Sequence, residues 1–191
     1  MDLKLKTQDK GILYGTRAYL AGNLECSADS YGWRERMRQE FSSMGIITLD
    51  PTKIVFNGQP LETEEKRKEL MVWRNNEEYD RVREYMVPVV QKDCRQIDVS
   101  DFIVFNFQID KPTFGTNHEL VLATQQKKPI FLCVGDKKKT PLWFFGILKH
   151  KYIYNTLDEI IDVLKKINSG EKEISSERWR ILIKEFRYAS E

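Results

Sequence analysis

The chain has 191 residues, of which 41% are hydrophobic and 31% are charged, and its formal net charge at pH 7 is +2. A chain of this length is typical of one domain with a buried core, so we expect a single domain over residues 1–191. The balanced charge argues against a nucleic-acid partner. Because no run of about 18 apolar residues is present and the first residues are polar, the sequence predicts a cytoplasmic protein with no membrane partner.

Cysteine and histidine are both scarce, which bears on metal sites and disulfides. The chain has three cysteines and two histidines. Cys26, Cys94 and Cys133 are widely spaced and form no CxxC pair. Cys133 lies inside an apolar strand pattern, where a thiol behaves as a small core residue. The sequence therefore predicts neither a metal site nor a disulfide framework.

The first part of the chain alternates strand and helix patterns. Residues 17–21 are a short apolar strand, which ends at Gly22 and Asn23. Residues 32–44 carry apolar side chains along one helical face. Residues 46–50 then form a second apolar strand.

Residues 52–91 are more charged than their surroundings and longer than a simple strand-to-strand connection requires. We expect them to form a helical insertion with helices at residues 62–74 and 77–91. Pro88 is expected to kink or restart the second of these helices. Residues 92–99 then lead into the third strand.

The second half of the chain continues the alternation. The expected elements are a strand at 102–107, a helix at 117–126, strands at 130–134 and 151–154, a helix at 157–167, and a last helix from 175 or 176 to about 188. The last helix belongs to a C-terminal helical extension over residues 170–191.

Strands that alternate with helices predict an α/β fold with a parallel sheet covered on both faces. We expect a flavodoxin-like or Rossmann-like three-layer fold with a five-stranded parallel sheet in the order 2-1-3-4-5 and a helical insertion. Ligands bind such sheets where the strand order reverses, here between the first and third strands. Gly22 and the 115–119 segment would flank that crevice. A Gly-Thr turn would then place Glu119 in the first turn of a helix, whose dipole stabilises the anion.

Three motifs, in this order, resemble the nucleoside 2-deoxyribosyltransferase family, including the related nucleoside 5′-monophosphate N-glycosidases. They are residues 19–22 followed by Trp33 and Arg34, residues 92–101, and residues 115–120 followed by Ala123, Lys128 and Pro129. The resemblance covers roughly residues 15 to 135. It implies cleavage of the N-glycosidic bond of a (deoxy)nucleoside or its 5′-monophosphate without metal or cofactor. It also implies a homo-oligomer, and in the transferases a free nucleobase as acceptor.

The resemblance assigns catalytic roles to two carboxylates. By position Glu119 matches the family's nucleophile, which attacks C1′ and passes the sugar to another base or to water. Asp93 matches the carboxylate that protonates or orients the departing base. Two carboxylates on either side of a glycosidic bond can divide these tasks, and partial burial that raises the pKa of Asp93 would suit proton transfer.

Further residues are candidate substrate contacts, and each has a structural alternative. They are Gly22, Asn23, Asp101, Thr113, Gly115, Thr116 and Asn117. Gly22 also suits a tight turn, Asn117 an N-cap and Asp101 the start of a strand. Thr113 stands where the family's nucleoside transferases carry an aspartate that holds the sugar hydroxyls. Since a hydroxyl can donate to phosphate and a carboxylate repels it, Thr113 favours a monophosphate substrate, although Asp110 could partly replace the missing acid.

Three other functions remain open from the sequence. The enzyme could be a nucleotide N-glycosidase that only hydrolyses. It could be of the phosphoribohydrolase type, although the longer Gly-Gly stretch before Gly-Thr is missing here. It could also be a nucleotide-binding sensor without turnover, although Asp93 and Glu119 are both retained.

Overall fold

In the computed structural model, the described residues are 10–23, 31–53, 55–56, 59–60, 62–111, 114–174, 177–179 and 182. The strands are β1 (Arg17–Gly22), β2 (Ile47–Leu49), β3 (Val55–Phe56), β4 (Gln59–Pro60), β5 (Phe102–Asn106), β6 (Ile130–Cys133) and β7 (Ile153–Tyr154). The α-helices are α1 (Gly32–Ser43), α2 (Glu64–Asn75), α3 (Tyr79–Val99), α4 (Phe114–Gln125), α5 (Leu142–Ile147) and α6 (Leu157–Asn168).

The main sheet has five parallel strands in the order β2-β1-β5-β6-β7. This order confirms the expected flavodoxin-like topology, with the reversal between β1 and β5. In the pairing register, Tyr19 of β1 lies between Leu49 of β2 and Ile103 of β5. The carboxyl ends of β1 and β5 therefore meet at one edge of the sheet.

Alternation along β1 sends neighbouring side chains into two different cores. Ala18 and Leu20 pack in the core that α1 and α6 cover. Tyr19 and Ala21 pack in the core on the other face, together with Ile97 of α3 and residues of α4. Successive side chains of a strand point to opposite faces, so this one strand separates the two helical layers.

The helices of the first layer form as the sequence predicts. On α1, Trp33, Met37 and Phe41 are buried at helical spacing. Gly45 follows with φ +71°, a left-handed conformation that suits glycine. On α6 the Thr156 side chain accepts a hydrogen bond from the backbone N–H of Glu159 and caps the helix.

The insertion differs from the expectation in two ways. It begins with an antiparallel β3–β4 pair ahead of α2. The helix α3 does not restart at Pro88 but runs from Tyr79 to Val99, so residues 92–99 are helical. Proline removes one backbone hydrogen bond, and burial of Val89 and Ile97 on the far side holds the helix together. The α2–α3 pair has its own aromatic contact, between Trp73 and Tyr85 at 6.3 Å.

The predicted last helix, at 175–188, lies largely outside the described residues. Within the extension, Trp179 is 2% exposed. Its ring lies 5.4 Å from that of Phe102 and 6.1 Å from that of Phe131. The extension therefore closes the core on the α1–α6 face. Among the described residues, we find no helix with both the length and the apolar character that crossing a membrane requires.

Replacing Pro88 with alanine should stabilise the protein, because alanine restores the N–H that proline lacks in the interior of α3. We expect the free energy of unfolding to rise by about 1–3 kcal/mol, measured by urea denaturation. Val90→Ala, at an exposed position of the same helix, should change it by less than about 0.5 kcal/mol. A destabilised Pro88→Ala protein would contradict a continuous, unstrained α3.

Candidate active site

The helix α4 begins earlier than the sequence predicts. It starts at Phe114, so Gly115 and Thr116 belong to its first turn and Asn117 is not an N-cap. Glu119 consequently lies in the second turn. The buried positions of α4 explain the earlier start, since they recur at helical spacing from the first turn onward. They are Thr116, Glu119, Leu120 and Ala123.

Glu119 is buried between α4 and β1. It is 9% exposed, and its Oε1 accepts a hydrogen bond from the hydroxyl of Tyr19 at 2.5 Å. Burial raises the pKa of Glu119 to about 7. The hydrogen bond from Tyr19 and the charge of Arg34 oppose this rise, and the charge of Glu62 adds to it. This corrects the expectation of an anion stabilised by the helix N-terminus, because desolvation outweighs the dipole beyond the first turn.

Asp93 approaches Glu119 from α3. It lies four residues after the buried Val89 and four before the buried Ile97, so all three share the inward face of the helix. Burial raises the pKa of Asp93 to about 9, and the charges of Glu62 and Glu119 add to the effect, while Arg34 opposes it. The raised pKa of Asp93 agrees with the sequence expectation.

Arg34 is the buried cation of this region, with 1% of its surface exposed. A terminal nitrogen donates to the carbonyl of Gly22 at 2.8 Å, and Nε donates to that of Leu20 at 3.4 Å. Nε also lies 3.8 Å from Oδ1 of Asp50. These bonds anchor α1 to the end of β1, and burial lowers the pKa of the guanidinium.

Gly22 has a packing reason to be glycine. A Cβ atom at this position would lie 2.9 Å from the Trp33 ring and 3.0 Å from the carbonyl oxygen of Asn106. The tight approach of β1, β5 and α1 therefore excludes a side chain. Trp33 itself is 6% exposed, as expected for the apolar helical face of residues 32–44.

Glu62 is the acid that the sequence did not single out. It lies just before Thr63, the N-cap of α2, and its carbonyl oxygen is 3.5 Å from the hydroxyl of Tyr31. Its charge acts on Asp93, Glu119 and the Arg34 guanidinium. We call Glu62, Asp93 and Glu119 the carboxylate cluster, with Tyr19 and Arg34 as its neighbours.

The remaining described candidates lie directly after β1 and in the first turn of α4. Asn23 is buried directly after β1, and a Cβ at Gly115 would meet no atom within 4 Å. Asn117 is exposed on α4. Thr113 lies outside the described residues, so its predicted phosphate contact stays a prediction.

Asp101 is not brought to the carboxylate cluster. It precedes β5 at the amino-terminal edge of the sheet. Its Oδ2 accepts from the backbone N–H of Arg17 at 2.7 Å, and its Oδ1 lies 3.3 Å from the Arg17 guanidinium. These contacts fit the structural alternative, in which Asp101 fixes the start of β5 against that of β1.

The carboxylate cluster does not line either of two open pockets in the described part of the chain. One, of about 400 Å³, lies beyond the ends of β5 and β6, with Asp110 and Lys111 on its wall. A larger one, of about 1060 Å³, opens along β2. Titratable groups with strongly shifted pKa values are typical of functional sites, so the carboxylate cluster is the candidate site. The described residues form no His, Cys, Asp and Glu group suited to a metal ion.

Tyr19, Arg34 and Glu62 are functional candidates that the sequence did not propose. Strand alternation could have found Tyr19, since it shares the α3–α4 face with Glu119. In the sequence, Arg34 stands out only as part of the first motif of the family resemblance. The residues around Glu62 form no pattern that predicts a functional role, because only the folded insertion brings Glu62 to Asp93.

Comparison with known proteins places this chain in no family. No family model matches the sequence, and no curated protein matches it significantly.

Replacing Asp93 with asparagine should change how stability depends on pH. The pKa of Asp93 is raised from 3.8 to about 9 on folding, so the unfolded chain loses this proton first as pH rises. The contribution of Asp93 to the free energy of unfolding is then greatest below about pH 4. It falls as pH rises and is fully lost once pH passes about 9. Asp93→Asn should therefore stabilise the protein more at pH 9 than at pH 5, by more than about 1.4 kcal/mol, the equivalent of one pKa unit.

Urea denaturation at pH 5, 7 and 9 measures this difference. Asp80→Asn, at an exposed position of the same helix, should shift stability equally at all three pH values. A pH-independent effect of Asp93→Asn would show that this carboxyl is not held protonated by the fold.

Proposed function

We propose that the protein cleaves the N-glycosidic bond of a (deoxy)nucleoside or its 5′-monophosphate and passes the sugar to another base or to water. The observation that carries the proposal is the pairing of Glu119 and Asp93. They come from different helices, the charge of Glu119 raises the pKa of Asp93, and the two pKa values differ, at about 7 and about 9. Two acids whose surroundings separate their pKa values suit a nucleophile and a proton donor. Their place beside β1 and β5 is where such sheets bind ligands.

In the first half of the reaction, Asp93 and Glu119 act in opposite protonation states. Asp93, protonated at neutral pH, gives its proton to a nitrogen of the departing base as the C1′–N bond breaks. The electron pair of that bond stays with the base. Glu119, as a carboxylate, forms a new bond from Oε to C1′. The hydrogen bond from Tyr19 favours this ionised form of Glu119.

The second half reverses these roles. Asp93, now a carboxylate, takes a proton from water or from the acceptor base, whose lone pair attacks C1′. The bond between C1′ and Glu119 breaks, and its electrons return to the carboxylate. Positive charge develops on the sugar in both steps, and a nearby carboxylate stabilises such charge.

A 5′-monophosphate is the favoured substrate form. The threonine at position 113 supports it, and so does the start of α4 beside the carboxyl end of β5. Backbone N–H groups of a first helical turn attract anions. The open space around Gly115 leaves room for a phosphate to approach them.

We also propose that the enzyme is a cytoplasmic homo-oligomer. Large apolar side chains are exposed in α4 and α5, both of which follow the carboxyl ends of strands. Phe114 and Leu142 are each 87% exposed, and Trp143 is 77% exposed. Large exposed apolar side chains are typical of an interface when they form a patch.

Incubation with deoxynucleosides and their monophosphates, with and without a free base, tests the proposal by chromatography of the products. Base release without acceptor indicates a hydrolase, and base exchange indicates a transferase. Tight binding without turnover would instead indicate a nucleotide sensor. Faster cleavage of free deoxynucleosides than of monophosphates would contradict the phosphate preference.

Substitution of the two acids should remove activity from a folded protein. Glu119→Ala eliminates the nucleophile and should abolish turnover. Asp93→Asn eliminates the proton donor and should lower kcat/KM by about 10²–10⁴-fold. His118→Ala, at the exposed neighbour of Glu119, should keep activity near the wild-type level. Normal turnover by Glu119→Ala would exclude the proposed nucleophile.

Tyr19→Phe should shift the pH dependence of kcat/KM. The Tyr19 hydroxyl lowers the pKa of Glu119, so its removal raises that pKa above about 7. Since the ionised form attacks, the acidic limb of the pH–rate profile should move to higher pH. An unchanged acidic limb would show that ionisation of Glu119 does not control the rate.

A further inference from the structure

Residues 137–151 combine basic and apolar side chains without a single acid. They include five lysines and one histidine, and the remaining chain, with 26 basic and 29 acidic residues, is net negative. Charge is therefore segregated along this chain, although its formal net charge is only +2. We call residues 137–151 the lysine-aromatic segment.

The fold presents apolar side chains of this segment to solvent. On α5, Phe144 is buried, and its ring lies 4.9 Å from that of Phe107. Its neighbours Leu142 and Trp143 are 87% and 77% exposed, and Phe145 is 41% exposed. Successive residues of a helix point about 100° apart. Burial of Phe144 therefore keeps these neighbours turned towards solvent.

The lysines of the segment precede and follow α5 in the chain, and the fold joins their two runs. Nζ of Lys137 donates to the carbonyl of His150 at 2.5 Å, which connects residues 137–139 to residues 149–151. Lys138, Lys139 and Lys149 are exposed. Basic side chains thus accompany the exposed apolar side chains of α5 on both sides.

Asp136 and Glu177 are acids that border the segment. The Asp136 side chain accepts a hydrogen bond from the backbone N–H of Lys138 at 3.0 Å. Glu177 lines a small pocket together with Arg178 and the end of α5. Both acids counted against the five lysines still leave an excess of positive charge.

We propose that the lysine-aromatic segment binds the protein peripherally to an anionic membrane surface. This contact goes beyond the proposed function and does not depend on it. Trp, Phe and Leu side chains that project from a protein surface enter the boundary between headgroups and acyl chains, and lysines beside them attract anionic lipids. The sequence-based expectation of no membrane partner rested on the lack of a long apolar run, which a peripheral contact does not need.

The charge of the segment favours a membrane over a second copy of this chain. In a two-fold contact the segment would meet its own copy, and lysines would face lysines. Phe114 of α4 lies outside the segment and is left for the contact between copies. A nucleic acid would match the lysines, but Leu142 is aliphatic and has no ring on which a base could stack.

Co-sedimentation of the full-length protein with lipid vesicles tests the proposal. Vesicles of phosphatidylcholine alone are compared with vesicles of equal parts phosphatidylcholine and phosphatidylglycerol. We expect binding to the mixed vesicles, weakened by added salt. Trp143→Ala should lower the affinity by about tenfold or more, because it removes a large apolar side chain from the contact. Lys138→Gln should lower it by about fivefold.

Two matched controls alter exposed side chains outside the segment. Tyr79→Ala removes an aromatic ring that is 62% exposed at the start of α3. Lys68→Gln removes an exposed lysine of α2. Both variants should bind the mixed vesicles as the wild type does.

Three results would overturn the proposal. They are equal binding to both kinds of vesicle, self-association that Trp143→Ala abolishes in a protein that binds no vesicles, and binding to DNA by such a protein. Nucleoside cleavage, assayed in the same samples without vesicles, tests the proposed function separately.

Discussion

Burial of Glu119 against Tyr19 is the constraint on which the rest of the site depends. A carboxylate taken out of water is unfavourable unless the protein replaces its hydration. Here the replacement is one hydroxyl at 2.5 Å and the distant charge of Arg34. The compensation is incomplete, so the carboxyl holds its proton to about pH 7. The fold therefore keeps an acidic group in an unfavourable environment, an arrangement that in stable proteins is typical of functional sites.

The topology of the sheet explains how these groups meet. Tyr19 is on β1, the strand at which the connection order reverses, and its side chain faces the α3–α4 layer. The helix that follows β5 carries Glu119, and the helix that precedes β5 carries Asp93. Both helices pack beside β1 and β5. The reversal of strand order between these two strands therefore brings Asp93 and Glu119 to the same face of the sheet. The insertion then adds Glu62 from outside the basic fold.

Local sequence patterns predicted the features that short-range interactions determine. The five strands and the buried Cys133 follow from apolar runs and alternation. The start of α4 was misplaced because Gly115 has a low helix propensity and tertiary packing overrides it. Tertiary packing also explains why α3 continues through Pro88. The buried contacts of the residues after the proline cannot be predicted from the local sequence. Glu62 could not be predicted, because its approach to Asp93 depends on a long-range contact of the insertion.

The unbroken α3 ties the position of Asp93 to helical register. Each residue inserted or deleted turns the following part of an α-helix by about 100°. A length change between α2 and α3 leaves Asp93 aligned with Val89 and Ile97, because all three lie on one rigid segment. A single deletion between Asp93 and Ile97 would instead rotate the acid away from Glu119 or displace the core residue. We therefore expect the spacing from 89 to 97 to tolerate length changes less well than the connection between α2 and α3.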